Sequence, residues 1–116
     1  MTPNSLLQFI EHTLSDLKAL QITVLNVQNQ TPLTDYMIIA SGTSSRHVKS
    51  VAQHLVEKLK AIDCPPRGIE NDEDGEWWLV DAYDVVVHIM HPKTRIFYNL
   101  EKLWGPNRET LQAALA

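Results

Sequence analysis

The stretch GEWWLVDAYDVVVHIMHP, Gly75 to Pro92, reads as a β-hairpin, and its register decides the fold. Side chains alternate faces along a strand, so the adjacent Trp77 and Trp78 cannot enter the same core. A two-residue turn at Tyr83-Asp84 predicts Ala82 opposite Val85, Val80 opposite Val87, and Trp78 opposite Ile89. That face is wholly apolar. Leaving it in water would forfeit several kcal/mol at about 25 cal/mol per Å², so Trp78 is expected in the core. The same register sets Asp81 with Val86, Leu79 with His88 and Trp77 with Met90 on the other face. An aromatic anchor inside a polar rim is the makeup of a protein-binding patch. The alternative is a helix laid over this face as well.

Working outward, Thr2-Pro3 reads as an N-cap followed by proline at the first helical position, and Leu6, Leu7, Ile10, Leu14 and Leu17 recur at helical spacing. A first strand is expected over Ile22 to Gln28, with turn chemistry in NQTPLTD after it. YMIIASG, Tyr36 to Gly42, is a continuous apolar run, the pattern of a strand buried on both faces. Helical period resumes with Val48, Val51, Ala52, Leu55, Leu59 and Ile62, and Cys64-Pro65-Pro66 ends it. A short strand near Arg67 to Glu70 leads into the acidic turn Asp72-Glu73-Asp74-Gly75. Lys93 to Leu103 is expected to be a third helix, and Asn107 to Leu115 a short terminal one. The order α-β-β-α-β-β-β-α predicts one α/β domain, a mixed sheet of about five strands with flanking helices.

Composition narrows the function classes. The 116 residues are 44% hydrophobic, enough for a single core, and a net charge of -4 argues against nucleic-acid binding by a basic stripe. No direct DNA binding is expected, and any partner is expected to be basic. The single Cys64 excludes an intrachain disulfide, no secretory leader pattern opens the chain, and no apolar run could span a bilayer. A cytoplasmic location without membrane contact follows as the expectation.

The motifs that suggest chemistry are weak. Glu70, Asp72, Asp74, Gly75 and Asp81 fall at calcium-loop spacing, but prolines precede them and a β-type run follows, where an EF-hand needs helices. The serines and threonine of SGTSSRHV are first of all helix caps, and no P-loop lysine accompanies them. His88 and His91 point to opposite faces, while His12, His47 and His54 are expected on solvated helix faces. Cys64 has no partner for nucleophilic chemistry, and Asp81 with Asp84 lacks a third acid for two-metal catalysis. No catalytic residue, metal or cofactor is therefore expected. A nucleotide-binding enzyme or nucleotidyltransferase using SGTSSRH and Asp81/Asp84 is the alternative.

Read together, TDYMIIASGTSSRHVKSVAQHL, RGIEN, EWWLVDAYDVVVHIMHP and RIFYNLEKLW resemble the ribosomal silencing factor, or Iojap, family. The resemblance runs from Ser5 to Trp104, which makes residues 1–104 the domain and 105–116 a short tail, expected to be helical. It implies a nucleotidyltransferase-like fold that serves as a binding module, without the acidic triad of active transferases. It also implies a translational repressor that binds a ribosomal protein on the subunit-joining face of the large subunit and blocks the small subunit. The family's surface maps to Trp77, Leu79, Tyr98, Leu100 and Glu101, with Arg95 and Trp104 carried over as contacts or as structural residues. Asp81, His88 and Met90 join them from the mixed face, Asp81 and Glu101 being expected opposite Lys or Arg of the partner. Trp78 stands where the family usually has an aliphatic residue. A homodimer through the same face is a further expectation.

Overall fold

Two capped amphipathic helices are specified by sequence at both their start and their buried stripe. In α1, Pro3–Asp16, the Thr2 side chain accepts the Ser5 N–H at 3.1 Å, and Leu6, Leu7, Ile10 and Leu14 are buried. In α2, Ser45–Ala61, Ser44 caps the His47 N–H, and Val48, Val51, Ala52, Leu55, Val56 and Leu59 turn inward. The computed structural model describes residues 2–98, with α3 from Pro92 to Tyr98 as the last element. The expected continuation of that helix to Leu103, and the terminal helix from Asn107, lie outside the described residues.

Between the helices run five strands, β1 (Leu20–Asn26), β2 (Tyr36–Ser41), β3 (Gly68–Asn71), β4 (Trp77–Asp81) and β5 (Val85–Met90). They make one mixed sheet in the order β1-β2-β5-β4-β3, with β2 and β5 parallel and every other pair antiparallel. The fold class and the element order are those expected from the sequence. The β4–β5 register also follows the hairpin reading, pairing Trp77 with Met90, Trp78 with Ile89, Leu79 with His88, Val80 with Val87 and Asp81 with Val86. Ala82 donates to the Val85 carbonyl at 2.9 Å to close the turn, and Tyr83 takes a positive φ of 68°.

Alternation then sorts the side chains into two cores. Ile38, Ala40, Val80, Val85, Val87 and Ile89 meet α1 and α2, with Trp78 packed at the margin. Val27, Met37, Ile39 and Met90 form a smaller cluster on the opposite face, joined by Leu25 and Trp77. YMIIASG is apolar without alternation because β2 is interior and feeds both clusters.

β1 departs from its expected bounds. It starts at Leu20, and its register against β2 shifts between Leu20 and Thr23, where Gln21 has φ 48°. An irregularity of this kind breaks the two-residue alternation that marks a strand in sequence. Among the described residues no helix is long and apolar enough to cross a membrane.

Candidate functional site

Among the described residues, the second sheet face is covered at one end and open at the other. α3 follows β5 directly, and Arg95 reaches from it across the end of the sheet. Its guanidinium donates to the Gln21 carbonyl at 2.8 Å, to Ser41 Oγ at 3.0 Å and to Thr23 Oγ1 at 2.9 Å. Thr94 beside it donates to Glu76 at 2.9 Å, and the Glu76 carbonyl accepts the His91 N–H. These bonds tie α3 to β1, β2 and the start of β4.

Beyond this covered end lies the Trp77 and His88 pair. The indole N–H of Trp77 donates to His88 Nδ1 at 2.9 Å, the rings 5.7 Å apart and tilted by 44°. His88 is only 5% exposed, and burial lowers its pKa from 6.5 to about 4. The imidazole is thus neutral at pH 7, with Nδ1 free to accept. The Asp72 carboxylate accepts the backbone N–H groups of Glu76 and Trp77 at 2.9 and 3.2 Å, which fixes where β4 begins. Asp72 is a turn organiser, so the resemblance to a calcium loop reflects local backbone bonding.

Toward the β3 edge the face opens into a shallow groove of about 220 Å³ lined by Glu70, Asn71, Asp72, Trp77 and Leu79. Trp77, Leu79 and Asp81 are half-buried there. Asp81 is forked to Arg67 by bonds of 3.0 to 3.2 Å, and Arg67 lies 5.0 Å from the Tyr83 ring centre. Its charge, expected to face a partner's cation, is matched within the chain by Arg67.

The residues expected to bind a partner therefore fall into three groups. Trp77 and Leu79 line the groove, and Asp81 follows two residues on along β4. Met90 and Arg95, at 0% and 7% exposure, are interior with His88, because α3 and its arginine cover that end of the face. Leu100, Glu101, Trp104 and the Tyr98 side chain lie outside the described residues. Glu70, which the sequence placed in a calcium-like loop spacing and not among the partner-binding residues, stands directly opposite Leu79 across β3 and β4. Its pairing was legible only once the Asp72–Gly75 turn was taken as the link of a second hairpin.

The other chemistry-bearing motif is spent on structure. His47, expected in solvent, accepts the Thr43 N–H on Nδ1 at 2.9 Å and contacts the Leu17 carbonyl through Nε2 at 3.1 Å. It pins the start of α2 to the end of α1. The hydroxyl of Ser44 is occupied by the His47 N–H, so the SGTSSRH loop caps its own helix. Among the described residues no three His, Cys, Asp or Glu side chains converge as a metal set.

A family model described as "Ribosomal silencing factor during starvation" matches residues 1–115. The chain belongs to this family. The match extends past Trp104 and takes in most of the segment that the sequence reading set apart as a tail. A ribosomal silencing factor from Chromobacterium violaceum is 42% identical over 103 residues, covering 89% of this chain and 84% of that protein. Another, from Zymomonas mobilis, is 39% identical over 110 residues, covering 95% and 83%. Mouse mitochondrial assembly of ribosomal large subunit protein 1 is 40% identical over 89 residues, 74% of this chain but 39% of its own length. A crystal structure of a C. violaceum protein superposes with a TM-score of 0.87 at 40% identity, covering 92% of this chain and 89% of that one. The ribosomal silencing factor fold is thus shared by sequence and by backbone.

Proposed function

We propose that this ribosomal silencing factor family member is a translational repressor that docks on a basic ribosomal protein of the large subunit, on the face that receives the small subunit. The docking surface is the open end of the second sheet face, centred on Trp77 and Leu79, and Tyr98, Leu100, Glu101 and Trp104 are proposed to extend it. The observation that carries the reading is the half-buried tryptophan anchored to a buried neutral histidine in a chain of net charge -4. A rigid aromatic with acidic neighbours suits a basic partner surface. His88, Met90 and Arg95 act beneath this surface, by holding Trp77 and α3 in place.

The action is steric. An interface of roughly 800 Å² per partner is enough to occupy a bridge surface and exclude the other subunit, and no catalytic step is needed. We infer a cytoplasmic, non-enzymatic role, with residues 1–104 as the binding domain. Self-association through the same face would compete with docking.

Co-sedimentation with isolated subunits tests the reading. Binding to large subunits, with loss of subunit joining as the protein is added, is the expected result. Binding to small subunits alone would overturn it. A saturable rise in melting temperature with Mg²⁺ and a nucleoside triphosphate would favour the enzyme alternative instead, since a ligand stabilises the state it binds.

A further inference from the structure

Among the described residues, the carboxylates of Asp72 and Asp81 beside the Trp77 groove are engaged and that of Glu70 is not. Asp72 holds the backbone of Glu76 and Trp77, and Asp81 is forked to Arg67. Glu70 is exposed, lines the groove and has no ion pair among the described residues. Its position is fixed by strand pairing, opposite Leu79, which is itself opposite His88. Directly paired residues on one face bring their Cβ atoms to about 5 Å. A carboxylate, an aliphatic side chain and an indole thus follow one another across β3 and β4.

We propose that this groove is a receptor for one lysine or arginine side chain of the basic protein partner, with Glu70 as its counter-ion; the proposal rests on the docking surface described above. Such a side chain has an apolar stem and a charged head, and the groove presents the same sequence of surfaces. Leu79 and the Trp77 indole cover the stem, and the Trp77 ring adds attraction for a cation passing over it. Glu70 accepts the head in a charge-assisted hydrogen bond. Asp81 offers less attraction, because Arg67 already neutralises its charge. An RNA backbone is disfavoured here, since Glu70 and Asp72 present negative charge to it.

The test uses the full chain and isolated large subunits, with binding measured at low and high salt for Glu70→Gln, Glu70→Lys, Glu73→Gln and Trp77→Ala. Glu73 is exposed one residue beyond the groove and faces the α2 side instead, so it carries the same charge change outside the receptor. Glu70→Gln is expected to weaken binding about 10-fold at low salt without moving the melting temperature, the loss shrinking as salt rises. Glu70→Lys should weaken it further, and Glu73→Gln should leave it within about twofold. Equal losses for Glu70→Gln and Glu73→Gln would overturn the receptor, leaving only a diffuse field. Unchanged binding of Glu70→Lys alongside loss in Trp77→Ala would also overturn it, while sparing the docking surface. If the unaltered chain does not bind large subunits, the docking reading itself falls.

Discussion

Trp77 and His88 are joined by an indole N–H to Nδ1 hydrogen bond of 2.9 Å, and that bond exists only while the imidazole is neutral. Protonation would place two donors against each other in a part-buried site. The half-buried anchor is therefore coupled to a buried titratable group beneath it.

The pH dependence follows from the depressed pKa. Between pH 6.5 and about 4 the unfolded chain holds a proton on His88 that the folded chain does not, so this group's contribution to stability is intact above 6.5 and is lost as pH falls toward 4. The loss amounts to about 3 kcal/mol by pH 4. Denaturant melts from pH 7 to 4 should show this slope, and His88→Gln, which keeps an acceptor for Trp77 but does not titrate, should flatten it. An equal slope in the variant would remove His88 as its source.

Arg95→Ala should cost about 3 kcal/mol, because three hydrogen bonds that join α3 to β1 and β2 are lost from a buried guanidinium. Lysine at this position retains the charge but cannot direct several fixed N–H groups at once, so Arg95→Lys should recover less than half of the loss. Hydrogen exchange localises the effect. Amides of β1 should lose protection before those of β2, since β1 is an edge strand and Arg95 holds its bulge; uniform loss across the sheet would contradict this.

Gly42→Ala tests the packing of α2 on the sheet. A Cβ at Gly42 would stand 2.8 Å from the Val48 backbone nitrogen and 2.9 Å from its Cγ2, and a helix backbone cannot yield as a long side chain does. The expected cost is about 2 kcal/mol, read as a lower denaturation midpoint with unchanged slope. A variant as stable as the parent would show that α2 slides freely at its first turn.

The hairpin was legible in the sequence because one of its faces is uniformly apolar, which leaves a single acceptable register at Trp78, Val80, Val87 and Ile89. The two capped helices were legible for a similar reason, each having a cap residue and an unbroken stripe. The bulge near Gln21 was not, since it interrupts the pattern from which strands are recognised. At the candidate site, alternation placed Trp77, Leu79, Asp81, His88 and Met90 on one face, but could not tell which of them α3 would cover. That depended on Arg95 crossing to Ser41, a contact 54 residues away in sequence. Likewise, Asp81 looked available for a partner until Arg67, 14 residues before it, was found to hold it.

The adjacent tryptophans are the sharpest test of the face assignment. Trp78 packs against the helix-side core, and its buried indole N–H has no acceptor among the described residues. Trp78→Ala should destabilise by about 3 kcal/mol through lost packing, whereas Trp78→Leu, which fills much of the space without a buried N–H, should stay within about 1 kcal/mol of the parent. Both should bind large subunits normally while folded. Trp77→Ala should shift the melting temperature by only a few degrees and weaken large-subunit binding by about 2 kcal/mol or more, the range of an aromatic hot spot. His88→Gln should bind nearly as well as the parent, because its amide oxygen still orients the indole, and His88→Leu should weaken binding more than it lowers stability. If Trp78→Leu folds but fails to bind while Trp77→Ala binds normally, the docking surface lies on the helix side of the sheet.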